Sequence, residues 1–228
     1  MAGWGYLIRR SSRGHKLMLS HMLRAVHQGI QFVGSAVTTQ ATGNFSVDIS
    51  GIPIQPNDVA ILSFGSSASD TSAGITGYTL ISALTPGINS DVYYRVLDGT
   101  ETAVASTTGG DYIELAVVVT IFRGVVVTGI ANGTATGTNT PPDCPISGTV
   151  TNNKALIVAV GVFGAGSWTS PAAPSGYSDG GGATINTLNE IYTEVGYKVV
   201  TAQENPAIHG GSSSSNSWIG ITVTLQEL

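Results

Sequence analysis

From Phe45 to the last residue, short apolar runs alternate with clusters of Gly, Ser, Thr, Asn and Pro, a pattern typical of short β-strands joined by turns. The runs "LAVVVTIF" and "ALIVAVGVF" are apolar on both faces and rich in β-branched residues. We expect them to form central strands covered on both sides, with a neighbouring subunit as one candidate for the cover. In "WIGITVTL" apolar residues alternate with small or polar ones, which predicts a strand with one face in water; the apolar positions are Ile219, Ile221, Val223 and Leu225.

Before residue 30 the periodicity is helical instead. Apolar residues recur there at i, i+3, i+4 and i+7, at Leu19, Met22, Leu23 and Val26. Five of the nine basic residues lie in this stretch, and no acidic residue precedes Asp48. We expect residues 1–29 to form a short N-terminal amphipathic helix or arm that binds a more acidic partner through Arg9, Arg10, Arg13, Lys16, Leu19, Leu23 and Arg24.

Other interpretations of this arm stay open. Its Arg and Ser content and its lack of acids also fit a membrane-surface helix or a targeting peptide. A further alternative is that Met22 is the native start and that residues 1–21 are translated upstream sequence. We expect no membrane span, because no apolar run is long enough for one.

The β-rich part of the chain has the pattern of two similar halves. Its apolar runs and turn signals occur in the same order twice, as in "DVYYRVLDG" and "EVGYKVV". Pairing Asn57 with Asn153, Gly77 with Gly176, Tyr94 with Tyr197 and Tyr112 with Trp218 gives separations of 96, 99, 103 and 106 residues. Such a slow growth is expected from loop insertions into a repeated plan of strands, whereas chance similarity would scatter the separations.

We therefore predict an all-β fold, an antiparallel jelly-roll-like β-sandwich built from two similar halves. The sandwich is assigned to residues 30–228, with its first half at 30–127 and its second half at 150–228. The run 128–149 between them is rich in Gly, Thr, Asn and Pro and is expected to cross one end of the sandwich. Two tandem sandwiches joined by this run are an alternative, although units of about 85 residues would be marginal alone.

Composition limits the partners. Charged residues make up 10% of the chain, well below the usual share, so the surface consists largely of hydroxyl and amide groups. From residue 25 onward four basic residues oppose fourteen acidic ones, a balance of −10, which argues against nucleic acid as a ligand. Cys144 is the only cysteine, so no intrachain disulfide can form and stability must come from packing.

Seven stretches follow one another in a recognisable order: "NDVAILSF", "GYTLISA", "VYYRVLDG", "IFRGV", "ALIVAVGVF", "SWTSPAAPSGY" and "SWIGITVTL". In this order they resemble a family of β-sandwich modules of tailed-phage structural proteins and some bacterial surface proteins. The resemblance covers about Phe32 to Leu225. Asn57 stands where the family usually has Gly, and Tyr78 where it usually has Trp. The resemblance implies a non-catalytic virion or surface module and supplies no catalytic residue.

Motifs for catalysis are absent from the sequence. It contains no G-x-S-x-G, H-E-x-x-H, C-x-x-C or P-loop motif. His209 is the sole histidine outside the arm, and we interpret it as a surface-loop residue. Glu190 and Glu194 lie near each other, but a glycosidase needs two carboxyl groups facing each other at roughly 5 to 9.5 Å, which the sequence alone does not establish. We expect no enzyme activity, no cofactor and no metal site.

Aromatic residues provide the best binding hypothesis. Trp168 and Tyr177 lie in one loop, "GAGSWTSPAAPSGYS", and Tyr78 occupies the position of Tyr177 in the first half. Flat rings among small residues can stack on sugars, with Asn, Ser and Thr supplying hydrogen bonds to the sugar hydroxyls. The alternative is that Trp168 closes one end of the sandwich and that the two tyrosines anchor turns.

These observations lead to one expected function and one alternative. The expected function is that of a non-enzymatic structural protein of a tailed-phage virion, as a capsid decoration, head-fibre or tail-associated component. It would bind other virion proteins and form a homo-oligomer, for which a trimer is favoured. The alternative is a carbohydrate-recognition module of a tail fibre or of a secreted or bacterial surface protein, which would bind a host surface glycan.

Overall fold

A computed structural model describes most of the chain and shows an all-β protein. The described residues are 29–67, 75–85, 87–106, 113–138, 141–164, 169–185, 190–206, 208–212 and 217–228. Within these ranges the structure contains no helix with the length and apolar character that a membrane span needs.

The described residues form fourteen strands. The first seven are β1 (Gln31–Thr42), β2 (Ser46–Asp48), β3 (Val59–Ser66), β4 (Thr79–Leu84), β5 (Asn89–Val96), β6 (Ala103–Ala105) and β7 (Ile113–Arg123). The other seven are β8 (Val125–Thr138), β9 (Ala155–Phe163), β10 (Thr169–Ala172), β11 (Ser178–Ile185), β12 (Ile191–Val200), β13 (Gly210–Ser212) and β14 (Ser217–Glu227).

Ten of the strands form two antiparallel five-stranded sheets. The first sheet has the order β1-β7-β3-β5-β4, and the second has the order β8-β14-β9-β12-β11. The first sheet takes all its strands from residues 31–123, and the second takes all of its strands from residues 125–227. When the five strands of each sheet are counted along the chain, both orders read first, fifth, second, fourth, third.

The inner faces of the two sheets pack against each other and form the main core. β1 contacts β11 along one side of this sandwich, and β4 contacts β8 along the other. The sheets approach each other closely at Gly65 of β3, where an added Cβ would collide with a methyl group of Val162 on β9. Buried β-branched residues of both sheets fill the core around this point, among them Val59, Ile61, Val118, Val158, Val160 and Ile221.

The chain itself covers both outer faces. Over the first sheet, β2 and β6 pair with each other, and residues in and around them pack on Phe64 and its neighbours. Over the second sheet lie residues 141–150, where Cys144 is buried with its Sγ 3.6 Å from the Val160 carbonyl oxygen and 3.8 Å from that of Ile221. The strands that are apolar on both faces are thus covered by their own chain and need no neighbouring subunit.

The predicted fold class is confirmed at the level of an all-β, antiparallel, sandwich-like protein. The jelly-roll connectivity is not confirmed, because each large sheet is formed by one continuous part of the chain. Most of the predicted arm, residues 1–28, lies outside the described residues. The run 128–149 differs from its prediction as a crossover: its first part belongs to β8, which pairs with β14, and its later part covers the second sheet.

Candidate functional site

Tyr78 and Tyr177 occupy equivalent turns, each just before an edge strand. Each follows a glycine in the left-handed region, with φ of 76° at Gly77 and 82° at Gly176, a conformation that strains other residues. Each tyrosine donates its backbone N–H to the carbonyl three residues earlier, at 3.0 and 2.9 Å. The two Gly-Tyr pairs of the sequence are therefore turn residues, whatever else the rings do.

Beside the first sheet, a guanidinium group lies over Tyr78. Arg95 Cζ is 6.0 Å from the ring centre, and Arg95 Nη2 is 3.0 Å from Glu101 Oε1. Burial raises the pKa of Tyr78, whose hydroxyl has no hydrogen-bond partner among the described residues. The ring packs against the buried residues of the outer face, so its geometry is that of a turn anchor.

Beside the second sheet, a lysine lies over Tyr177 as the arginine lies over Tyr78, and a cleft lies next to it. Lys198 Nζ lies 5.6 Å from the centre of the Tyr177 ring and 2.7 Å from Glu204 Oε1. Burial raises the pKa of Tyr177 as well. Tyr177 differs from Tyr78 in its surroundings, because it also lines a cleft on the outer face of its sheet.

This cleft has a volume of about 500 Å³. Small-molecule sites in proteins span roughly 300–1,000 Å³, so the cleft has the size of a ligand site. Strands β10, β11 and β12 and the turn between β10 and β11 contribute its walls. The lining residues are Pro171, Ala172, Ala173, Tyr177, Asp179, Gly182, Tyr192 and Glu194.

Two glycines flank Glu194 in the second sheet. In the register of the second sheet, Glu194 of β12 lies between Gly161 of β9 and Gly182 of β11. A Cβ added at Gly182 would collide with Glu194 Oε2 and would lie 2.5 Å from the Tyr192 hydroxyl. Any larger residue at position 182 would therefore fill the floor of the cleft.

The corresponding place in the first sheet is filled by aromatic rings. There Asp91 lies between Phe64 and Ala83 in the strand register. The Phe64 ring stacks on Tyr93 with 6.1 Å between ring centres. The Tyr93 hydroxyl donates to Asp91 Oδ2 at 3.1 Å. Each sheet thus carries a tyrosine–carboxyl pair on its outer face, with Phe64 beside it in the first sheet and Gly161 at the corresponding position of the second.

Glu194 has an unusual electrostatic environment. The residue is only 4% exposed. Because burial removes water from around its carboxyl group, the pKa of that group is raised to about 8. Hydrogen bonds oppose this shift: the Tyr192 hydroxyl donates to Oε2 at 3.0 Å, and the Ala173 backbone N–H also donates. The charge of Asp179 adds to the effect of burial. Because burial prevails, Glu194 keeps its proton at neutral pH.

The interpretation of His209 as a surface-loop residue is wrong. The residue is 1% exposed, and its ring lies over Gly161, where an added Cβ would be 2.9 Å from the ring. His209 Nδ1 lies 3.2 Å from the Ala172 carbonyl oxygen, which makes Nδ1–H the donor to that carbonyl. Burial lowers the pKa of His209 to about 4, so the neutral ring closes one wall beside the cleft.

The structure separates the predicted aromatic residues. Tyr177 lines the cleft on the second sheet, while Tyr78 packs on the outer face of the first sheet, on the opposite side of the sandwich. Trp168 lies outside the described residues, and so do all the predicted partner-binding residues of the arm: Arg9, Arg10, Arg13, Lys16, Leu19, Leu23 and Arg24.

Two residues of the cleft were not grouped with Tyr177 by sequence. Tyr192 carries no motif. The sequence places Glu194 near Glu190, which does not line the cleft. The one signal was the glycine-rich run "SDGGG" at 178–182, since strand glycines mark close approaches or open space. Its meaning depends on the register that places Gly182 opposite Glu194.

Each sheet has one long, uncharged edge strand. β1 has 12 residues and β8 has 14, and neither contains Asp, Glu, Lys or Arg. Within the described residues each of these strands pairs on one side only. Edge strands of natural proteins usually carry charges, prolines or a cover that prevents further strand pairing. Among the residues that the structure describes, no strand pairs with the outer backbone N–H and C=O groups of β1 or of β8.

No group of three or more His, Cys, Asp or Glu side chains that could hold a metal ion occurs in the part of the chain that the structure describes. No protein-family model, curated protein or solved structure matches the chain. The described residues form a sandwich-like β protein with a small cleft on one face and two long, uncharged edge strands.

Proposed function

We propose that this is a non-enzymatic structural protein of a tailed-phage virion that acts by assembly, as a capsid decoration, head-fibre or tail-associated component. The observation that carries the proposal is the pair of long, uncharged edge strands β1 and β8. Strand addition at such an edge supplies backbone hydrogen bonds and fixes the register of the partner. With only 10% charged residues, the chain offers little electrostatic repulsion to a second copy.

The partners follow from the position of the edges. β1 and β8 lie on opposite sides of the sandwich, so one copy can place its β1 edge against the β8 edge of the next. Head-to-tail contacts of this kind form a ring when the rotation from one copy to the next closes, and we favour a homotrimer as that ring. The basic arm at 1–29 would bind a more acidic virion protein. The location in a virion rests on the order of motifs from "NDVAILSF" to "SWIGITVTL".

We further propose that the sandwich consists of two copies of one β unit. The equal strand order of the two sheets supports this, as do the equivalent turns at Gly77 and Gly176. The ion pairs next to those turns, Arg95–Glu101 and Lys198–Glu204, are also equivalent, with 103 residues between corresponding members.

The oligomeric state of the full-length chain tests the role of the edges. Thr39 on β1 and Thr134 on β8 are exposed, so Thr39→Lys and Thr134→Lys place a charge on each edge without filling the core. We expect the wild-type chain to form a trimer at micromolar concentration and the double variant to be a monomer. Size-exclusion chromatography with light scattering measures both masses.

Thr201→Lys is the matched control, because it adds the same charge at an exposed position outside the strands and should leave the oligomer intact. A monomeric wild-type chain, or a double variant as oligomeric as the wild type, contradicts assembly through the edges. Mass spectrometry of purified phage particles tests the location separately. Detection of this chain at high copy supports a virion component, and its absence from particles contradicts one.

A further inference from the structure

We propose that the cleft on the outer face of the second sheet binds a neutral saccharide, held by Tyr177, Asp179, Tyr192 and Glu194. The cleft lies on a sheet face and the assembly surfaces lie on sheet edges. Saccharide binding is therefore a second function, and it stands or falls independently of assembly through β1 and β8.

The shape of the cleft suits a small ring-shaped ligand. Its volume of about 500 Å³ is that of a small-molecule site. Tyr177 and Tyr192 supply phenolic rings, which combine an apolar surface for the C–H groups of a sugar with a polar hydroxyl tip. The other residues that line the cleft include three small ones: Ala172, Ala173 and Gly182.

The polar groups of the cleft match the hydroxyl groups of a sugar. Glu194 keeps its proton at neutral pH, so its carboxyl group can donate one hydrogen bond and accept others. The Tyr192 hydroxyl lies 3.0 Å from this carboxyl group and fixes its position. At the rim, Asp179 Oδ1 accepts the Gly181 backbone N–H at 2.6 Å, which orients a carboxylate acceptor toward the cleft residues. Sugar hydroxyls need both donors and acceptors, and this set provides both.

The charge of the cleft favours a neutral ligand. Its lining contains two acidic residues, Asp179 and Glu194, and no basic residue. Anionic sugars would be repelled by Asp179. An amine would gain little, because Glu194 is uncharged at neutral pH and the remaining carboxylate is exposed to water and salt. The nearest cation, Lys198, lies against the Tyr177 ring and is paired with Glu204.

The cleft is not a necessary product of this strand plan. At the corresponding place in the first sheet, Phe64 lies beside the carboxyl-bearing residue and stacks on Tyr93. The second sheet has Gly161 at that position and Gly182 on the other side of Glu194. The His209 ring fills the space above Gly161, and Gly182 is the glycine that lines the cleft beside the carboxyl group.

Saturation-transfer NMR on the full-length protein tests this proposal. The probes are the methyl glycosides of glucose, galactose, mannose and N-acetylglucosamine. We expect transfer from the wild-type protein to the ring protons of at least one probe. We also expect about tenfold weaker binding by Tyr192→Phe and by Glu194→Leu, each of which removes the hydrogen-bonding group of one member of the pair.

Tyr93→Phe is the matched control, because it removes the same kind of tyrosine–carboxyl hydrogen bond in the first sheet and should leave saccharide binding unchanged. The proposal is overturned if no probe binds the wild type, if both cleft variants bind as tightly as the wild type, or if spermidine binds in preference to all four sugars. Should a cleft variant fail to fold, chemical-shift mapping on the wild type decides. Shifts at the amides of Gly182 and Tyr192 support the site, and shifts confined to other regions overturn it.

Discussion

Glu194 and His209 are buried ionisable residues on the same outer face, and burial moves their pKa values in opposite directions. Between pH 4.5 and about 8 the unfolded chain has lost the Glu194 proton and the folded chain still holds it, so stability falls as the pH rises. Between pH 6.5 and about 4 the unfolded chain protonates His209 and the folded chain does not, so stability falls as the pH drops. Of these two residues, only Glu194 makes the stability of the fold depend on pH between pH 6.5 and 8.

We therefore expect the Tm of the wild-type protein to fall as the pH rises from 6.5 to 8, and the Tm of Glu194→Gln to change much less. Each 1 kcal/mol of lost stability corresponds to roughly 2–4 °C in a protein of this size, so a fall of several degrees is expected. Differential scanning calorimetry at four pH values measures it. Glu190→Gln is the control and should keep the slope of the wild type; an equal slope in Glu194→Gln would refute the assignment.

At this scale, local sequence signals predicted only part of the cleft. Tyr177 was recognisable because its Gly-Tyr turn repeats that of Tyr78. Glu194 was visible only as one carboxylate among many, because its burial depends on the register with Gly161 and Gly182. His209 was misplaced because "NPAIHGGSSSS" has the composition of an exposed loop, while its ring fills space above Gly161.

Among the elements, the central strands β3 and β7 are joined by an ion pair at their ends. Arg123, the last residue of β7, donates from Nε to Asp58 Oδ1 at 2.7 Å and from Nη2 to Oδ2 at 2.8 Å. The Gln55 backbone N–H also donates to Oδ2, at 2.8 Å. The Asp58 side chain is 1% exposed and that of Arg123 is 22% exposed. The two parallel hydrogen bonds of such a bidentate pair fix the relative orientation of the guanidinium and carboxylate groups and also pair their charges.

Replacing Asp58 by Ala should destabilise the protein by roughly 2–3 kcal/mol. Loss of one partner of a fully buried pair costs roughly 3–5 kcal/mol, and the partial exposure of Arg123 reduces that cost. Urea denaturation measures the change. Asp48→Ala, which removes an exposed carboxylate that accepts the Ser50 N–H, should destabilise the protein much less than Asp58→Ala. Equal effects of the two substitutions would argue against a special role for the pair.

The strands that carry apolar runs were predictable, and one that lacks such a run was not. "NDVAILSFG" and "NKALIVAVGVF" correspond to β3 and β9, whose β-branched residues are buried on both faces. The sequence favours a crossover over most of β8, because the later part of this strand, "GIANGTATGT", is made of small and polar residues. It is a strand because β14 supplies the backbone partners, which is information that no single segment contains.

At the scale of the whole molecule, the close approach of the two sheets at Gly65 sets the thickness of the core. An added Cβ there would collide with Val162 and would also lie 3.0 Å from Thr193 Oγ1 and 3.3 Å from Ile191 Cγ2. These neighbours are β-branched and have few alternative rotamers. The space between the sheets therefore has no room for even one methyl group at this point.

Gly65→Ala should consequently destabilise the protein by roughly 1–3 kcal/mol, the usual cost of overpacking a core. Thermal unfolding provides the measurement. Gly51→Ala is the control, because an added Cβ at Gly51 meets no atom within 4 Å and the residue is exposed. A Gly65→Ala variant as stable as the Gly51→Ala variant would show that the sheets can separate without cost.

The sequence predicts the fold class of the protein but not how its segments are arranged around the core. Alternating and two-sided apolar runs indicated antiparallel sheets with a shared core, and this core exists between the two sheets. The sequence did not show that residues 141–150 and the β2–β6 pair would cover the outer faces, because these segments have little apolar periodicity of their own. Their position is set by the sheets on which they pack.

Burial of Cys144 has a practical consequence for chemical labelling. Its thiol lies beneath the segment that covers the second sheet, and burial raises its pKa to about 12, so it is neither accessible nor ionised at neutral pH. It is also the only cysteine of the chain. A cysteine introduced at an exposed position such as Thr134 would therefore be the one reactive thiol, and a fluorophore could be attached to the β8 edge without altering the native residue.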